Sequence, residues 1–480
     1  MFLIDEANYM NKKHFIPLIA LLTQLGLVIH PAKGSDSTEI RRPGRPNVVI
    51  IMADDLDSRQ LSCYGGKNIK TTNIDNLAHE GMKFNQMIAS EAMCVPTRAS
   101  LFTGLYPLRH GSYQNHKRVY DSIKSVCHYL GDLGYKVALT GKDHSTKPAS
   151  VFPFTFIKGF EPNCVSPTDD YSMDGIHTFI TDKSNSPFCL FIMSINPHMP
   201  WTMGDPSEFK ADQLQLPPHW VDTKDTRTQF CKFLAEVRRL DNQVGEIMQL
   251  LKETGQEKNT IFIFLGEQGP QFPGGKWNLY DYGQKSAMIV RWPGVVKPGT
   301  ESDAIAQYED ITPTLCAIAG GKVPDKVDGK DFLPVILGQR KENREYAFGV
   351  HNNIPEGTAY PIRSIRDKRY KLIMNLAFES NYYNRFMMKP NNKNSYWNSW
   401  IEKGNTSPEA SRLVTRITTR PAVEFYDLQK DPYELHNLAN DPGYANRITA
   451  YNARLKEWMQ QQKDEGASID KEFQNPKKEN

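Results

Sequence analysis

The 480-residue chain contains no pair of cysteines at C-x-x-C spacing, which argues against a structural zinc site. Its seven cysteines, Cys63, Cys94, Cys127, Cys164, Cys189, Cys231 and Cys316, are scattered singly. It has no excess of either charge: 58 basic against 55 acidic residues leave a net +3. That near-balance excludes bulk nucleic-acid binding through net charge, although a locally basic cleft remains compatible with it. Internal repeats and low-complexity stretches are missing as well. Long hydrophobic runs are also scarce. The apolar stretch from Phe15 to Ile29 is short for a membrane span and is interrupted by Pro17 and Gln24.

That stretch reads instead as the core of an export signal over residues 1–34. Lys12 and Lys13 supply the positive flank, and small residues at Ala32-Lys33-Gly34 suit cleavage. Met10 is the expected true start. No cysteine follows for lipid attachment, so the expectation is an exported protein, periplasmic or secreted, with no stable membrane span. If Cys94 is consumed chemically, six thiols remain, an even number that permits disulfides. Cys189 and Cys316, however, lie in apolar runs and read as buried free thiols.

A chain of this length, with 39% hydrophobic residues, suits a large domain plus a smaller one. Four short apolar runs each end in polar residues. Val48 to Ala53 ends in Asp54-Asp55, Val137 to Thr140 in Gly141-Lys142-Asp143-His144, Cys189 to Ile195 in Asn196-Pro197-His198, and Thr260 to Leu265 in Gly266-Glu267-Gln268-Gly269. Runs of this length suit strands buried on both faces of a mainly parallel sheet, and ligands bind at the carboxyl ends of such strands. Four coincident polar ends argue for one shared site. Helical spacing over Thr72 to Gly81, Gln229 to Thr254 and Asp310 to Gly320 gives the α/β class. After about residue 345 the texture changes. Arg363 to Leu376 and Val423 to Leu428 read as strands of an antiparallel sheet, Asp441 to Lys463 as a closing helix, and the stretch from Asp464 as a frayed charged tail. Met387 to Thr418 shows no clear periodicity. The expected division is a catalytic domain over 35–345, an α+β subdomain over 346–465 and a tail over 466–480.

The most specific segment is Cys94-Val95-Pro96-Thr97-Arg98, closing at Thr103-Gly104. Proline early and glycine at the end predict a helix over 96–103, with Cys94 at its N-terminal mouth. Free N–H groups and the positive dipole end there suit an anion, and Arg98 lies one turn on. Asp54 and Asp55 read either as a solvated turn or as hard oxygen ligands for a cation.

This C-x-P-x-R-x4-T-G pattern resembles the signature of the type I sulfatases. The resemblance implies an alkaline-phosphatase-like fold: a large, mostly parallel sheet flanked by helices, plus a smaller antiparallel sheet. It also implies conversion of Cys94 to formylglycine, whose hydrate is the nucleophile, by a formylglycine-generating or anaerobic sulfatase-maturing enzyme. A Ca²⁺ ion (Mg²⁺ being possible) would be held by Asp54, Asp55, Glu267, Gln268 and residue 94. Arg98, Lys142 and Lys276 would surround the sulfate, His144 would hold or deprotonate the formylglycine hydroxyl, and His198 would act as acid towards the leaving group. The pair Glu267-Gln268 departs from the family's usual Asp followed by Asn or His, each ligand being one methylene longer.

Within the family the chain is most similar to the heparan N-sulfatases, or sulfamidases. The similarity is carried by Gly141–His144 with Val151–Phe154, by Phe272–Tyr280, by Tyr360–Arg366, and by Tyr426–Leu428 with Asp431-Pro432 and Asn437-Leu438. Sulfamidases tend to have Arg where this chain has Lys276. The implied reaction is removal of a sulfate from a sulfated saccharide, most closely the N-sulfate of glucosamine from heparin or heparan sulfate, with His116, His351, Glu356 and Arg363 as candidate sugar contacts. Three alternatives stand beside it: an O-sulfatase on another glycosaminoglycan sugar, a related phosphodiesterase, and an inactive glycan-binding homologue.

Overall fold

The computed structural model describes residues 44–166, 171–389 and 396–471; the signal expected over residues 1–34 lies outside them. Nine strands form one sheet: β1 (Asn47–Met52), β2 (Met82–Ile88), β3 (Lys136–Gly141), β4 (Thr155–Phe156), β5 (Phe188–Met193), β6 (Thr260–Leu265), β7 (Lys285–Arg291), β8 (Thr300–Ser302) and β9 (Ala306–Gln307). The spatial order is β4-β3-β5-β1-β6-β7-β2-β8, with β9 also beside β2. The pairs β3–β5, β5–β1 and β1–β6 are parallel. β7 runs antiparallel to both of its neighbours, so β2 points the same way as β6.

The four continuous apolar runs form the four central parallel strands because they must be apolar on both faces. Val49 and Ile51 of β1, with Leu190, Ile192, Phe262 and Phe264, enter one core beneath the long helix Lys224–Glu253. Val48, Ile50 and Met52, with Phe191, Met193 and Ile263, enter the opposite core against Ala99, Phe102 and Leu315. Each such buried side chain contributes on the order of 1.5–3 kcal/mol, so shifting one strand by a residue would exchange its entire set between the two cores. The seven cysteines are free, and Cys189 and Cys316 are buried.

Register decides where the loops emerge. Met52 pairs with Met193 on one side and with Leu265 on the other, and Gly141 pairs with Met193. The last residues of β3, β5, β1 and β6 therefore sit level, and their polar continuations leave the sheet side by side. Gly141 has φ +89°, and a Cβ there would lie 2.1 Å from the Met193 carbonyl oxygen. Glycine at this position lets the chain turn Lys142 over the strand end.

A second sheet of four antiparallel strands follows: β10 (Ala347–His351), β11 (Ile362–Arg366), β12 (Tyr370–Asn375) and β13 (Val423–Asp427). The helix Ala445–Gln461 packs on it through Tyr451, Leu455 and Trp458. The stretch without clear periodicity contains the helices Trp397–Gly404 and Pro408–Thr418. Trp400 and Leu413 of these helices join the first core, a packing that local pattern does not announce. Asp464, expected in a frayed tail, instead pairs with Arg363 of β11 and is buried. Across the seam, the Val350 amide donates to the Ser90 carbonyl at 2.8 Å, so β10 braces the loop that leads into Cys94.

Candidate active site

Cys94 is the first residue of the helix Cys94–Thr103 rather than preceding it. Met93 is extended, and the Thr97 amide donates to its carbonyl at 3.1 Å, closing the first turn. Gly104 ends the helix in a left-handed conformation at φ +72°, as its position requires. Every residue of this helix is buried.

The four strand ends meet around Cys94. Its Sγ lies 3.5 Å from Asp54 Oδ1 and 3.9 Å from Asp55 Oδ1, and Gln268 Nε2 is 3.5 Å from the same sulfur. Lys142 Nζ donates to Asp54 Oδ2, and Lys276 Nζ to Asp55 Oδ2 at 2.9 Å. Arg98 Nε donates to Glu267 Oε1, while its Nη2 stands 3.7 Å from Asp54 Oδ1. His198 Nε2 is 3.6 Å from Asp55 Oδ2. Three carboxylates thus meet three basic side chains in a buried space. Asp55 adopts φ +64°, a conformation that aspartate tolerates better than most residues.

Burial sets the protonation of this cluster. It would push Lys142 down, but the Asp54 carboxylate outweighs it and the ammonium is held. Burial pushes Glu267 up to about 7 against the pull of Arg98, with the Asp54 charge adding to the rise. Burial together with Lys142 pushes His144 down to about 3, so it is a neutral imidazole at neutral pH. For His198 burial works against protonation, but Asp54 prevails and raises its pKa, despite the opposing Lys276 and Lys142.

The donors suit a hard divalent cation. Asp54, Asp55, Cys94 and Glu267 each offer a ligand atom within 4.8 Å of the others. Gln268 turns its NH₂ towards Asp55 and Glu267, and its Oε1 is buried with no hydrogen-bond partner. With its amide turned over, Gln268 would offer that oxygen to a cation held by the carboxylates, and oxygen-rich donor sets favour Ca²⁺ or Mg²⁺ over zinc. The longer Glu267-Gln268 pair still reaches the carboxylates of Asp54 and Asp55.

Above the cluster opens a cavity of about 300 Å³ whose walls include Cys94, Lys142, His144, His198 and Lys276. Of the candidate sugar contacts, His116 and Glu356 line it. His351 and Arg363 do not. His351 Nδ1 pairs with Glu91 Oε1 at 2.7 Å. Arg363 is occupied by Asp464 and by the carbonyls of His351 and Ile362. Register puts the two on opposite faces of the second sheet, His351 beside Ile362 and Arg363 beside Val350, and each is taken up by a buried acid, which residue type could not reveal. Asn115, Cys164, Trp277 and Phe386 also line the cavity, and none of them carries a sequence signal for a role there. Trp277 lay in a recognised run but carried no chemical signal of its own, and Phe386 borders the stretch without clear periodicity.

With this geometry in place, the comparisons are specific. The sulfatase family model matches residues 46–321, and the model for the C-terminal region of N-sulphoglucosamine sulphohydrolase matches residues 274–400. An ulvan-active sulfatase of Formosa agariphila is 34% identical over 88% of this chain and 81% of its own length. The human N-sulphoglucosamine sulphohydrolase is 25% identical over 86% of this chain and 89% of its own. The fold superimposes on BT4656, solved with its substrate D-glucosamine-2-N,6-O-disulfate, at a TM-score of 0.68 and 21% identity, covering 88% of this chain and 99% of that one. A family match across more than half of the sequence, together with the level strand ends around Cys94, establishes that the chain belongs to the sulfatases, hydrolases of sulfuric esters.

Proposed function

We propose that this chain is an exported, formylglycine-dependent sulfatase of a sulfated saccharide, and that the group it removes is the N-sulfate of a glucosamine residue. The observation that carries the sulfatase chemistry is the convergence of Arg98, Lys142 and Lys276 on the carboxylates around Cys94 at the floor of the cavity. Three carboxylates already pair with three cations there, so a divalent cation would add positive charge that the substrate's sulfate monoanion offsets on entering. Asp54, Asp55, Glu267 and Gln268 would hold the cation. When present, the cation polarises the sulfate and the formylglycine hydrate supplies the attacking hydroxyl. Arg98, Lys142 and Lys276 bind the sulfate and stabilise the charge that grows as the bond to the leaving group breaks. His198 lies at the cavity wall, where it donates a proton to the leaving atom, and neutral His144 accepts one from the hydroxyl at residue 94. A sulfatase-maturing enzyme is the partner required to convert Cys94.

The match of residues 274–400 to the N-sulphoglucosamine sulphohydrolase model supports the N-sulfate reading. The 34% identity to an ulvan-active sulfatase favours a second reading, an O-sulfatase on another sulfated polysaccharide. Sulfate release from N-sulfoglucosamine and from glucosamine 6-O-sulfate, measured side by side, separates them. Release from the N-sulfated compound is expected, and release from the O-sulfated compound alone would refute the N-sulfate reading.

Cation binding is testable without turnover. Adding Ca²⁺ to chelator-treated protein is expected to raise the melting temperature by a few degrees, because a ligand at a hundredfold excess over Kd stabilises by about 2.7 kcal/mol. An unchanged melting temperature, or stoichiometric zinc on metal analysis, would count against the oxygen-ligated site.

A further inference from the structure

Glu356 is a buried carboxylate at the wall of the reaction cavity, and only one of its oxygens is used. Asn115 Nδ2 donates to Oε1 at 2.5 Å, while Oε2 is buried without a hydrogen-bond partner. A buried, unsatisfied carboxylate oxygen is costly unless something that enters the cavity pairs with it. Its position is fixed relative to the nucleophile: Asn115 Oδ1 accepts from the Val95 amide at 3.4 Å, in the first turn of the helix that begins at Cys94. The Asn115 backbone N–H in turn donates to the Ile354 carbonyl, two residues before Glu356. The same cavity is walled by an aromatic pair, Trp277 stacked on Phe386 with ring centroids 5.8 Å apart and planes 13° from parallel. Phe386 is 43% exposed, an apolar surface of the kind that receives the C–H face of a pyranose ring.

We infer that Glu356 and the Trp277–Phe386 pair form a saccharide subsite that selects a neutral or amino sugar, presenting an O–H or N–H donor to Glu356 Oε2, and rejects a sugar carrying a carboxylate at that edge. This rests on the saccharide-sulfatase reading but not on whether the sulfate is N- or O-linked. The sulfate end of the substrate meets three cations, whereas the sugar end meets the buried Glu356 carboxyl group. A uronate carboxylate there would face a like charge that water cannot screen, while a hydroxyl or ammonium gains a charge-assisted hydrogen bond. The Asn115 bridge makes this contact set the angle at which the sulfate approaches residue 94.

The test compares three substrates on the full-length, Cys94-converted protein: an N-sulfated glucosamine, a 2-O-sulfated uronic acid, and an aryl sulfate without sugar. Glu356→Gln keeps the shape and the Asn115 bond but turns the free acceptor into a donor. It is expected to lower the ratio of kcat/KM for the glucosamine to that for the aryl sulfate by about tenfold or more, chiefly through KM. The relative rate on the uronate should rise. An unchanged ratio would overturn the subsite, as would a wild-type preference for the uronate, and equal losses on sugar and aryl sulfate would reduce Glu356 to a structural role. Calorimetric binding of N-sulfoglucosamine to the Cys94→Ala chain gives an independent reading: adding Glu356→Gln should weaken it about tenfold, and unchanged affinity overturns the inference. Absence of sulfate release from all three substrates would sink the sulfatase reading instead, leaving the binding measurement to decide the subsite.

Discussion

Cys94→Ala is expected to abolish sulfate release, lowering turnover by about 10⁴-fold or more, the scale seen when a covalent nucleophile is removed. The reason is positional. Cys94 Sγ stands within 3.5–3.9 Å of both aspartates and of Gln268, at the floor of the cavity, and no other thiol or hydroxyl on the cavity wall is braced in this way among the described residues. Burial and the neighbouring Glu267 push the unmodified thiol's pKa far up, so the cysteine itself is a poor nucleophile, consistent with a precursor that must be converted. Peptide mass spectrometry of protein from a host with a maturing enzyme should show that conversion. Full activity from an unmodified thiol would sink the mechanism, whereas stability should change little because the substitution removes one atom from a cavity wall.

The second large effect concerns the leaving group. His198→Ala is expected to reduce turnover of an N-sulfated sugar by about 10²–10⁴-fold, the range of general acid catalysis, and to cost an aryl sulfate about tenfold or less. An amine cannot depart as an anion at neutral pH and must be protonated as the S–N bond breaks, while a phenolate is already a stable anion. His198 lies at the cavity wall, 3.6 Å from Asp55, and the nearby carboxylates favour its protonated form. Equal losses on both substrates would show that His198 only shapes the site. A loss confined to the aryl sulfate would contradict the acid role outright.

Much of this was legible before any coordinates. The four apolar runs became the four central parallel strands because a strand buried on both faces leaves a continuous apolar signature. Their polar ends marked the site because side chains at such ends have nowhere to go but the loops above the sheet. The segment Cys94 to Gly104 announced its helix by proline near one end and glycine at the other. Strands with weaker signatures were not legible. β2, with its partly exposed positions, and β10, which pairs on one side only, carry no continuous run, and the short run Ala287–Val290 of β7 is followed by Arg291-Trp292-Pro293 rather than by paired ligand residues. The helices Trp397–Gly404 and Pro408–Thr418 escaped because their polar faces dominate the local composition.

Sequence by itself determined which residues gather at the floor of the cavity, because they follow strand ends at short, fixed spacing. Only the tertiary structure decided what lines the cavity above that floor. His351 and Arg363 had the right chemistry, but β10 and β11 bury them in pairs with Glu91 and Asp464. Glu356, Asn115, Trp277 and Phe386 come from four separated segments. Their meeting depends on which loop folds over which, a long-range relation set by sheet packing that no local spacing encodes.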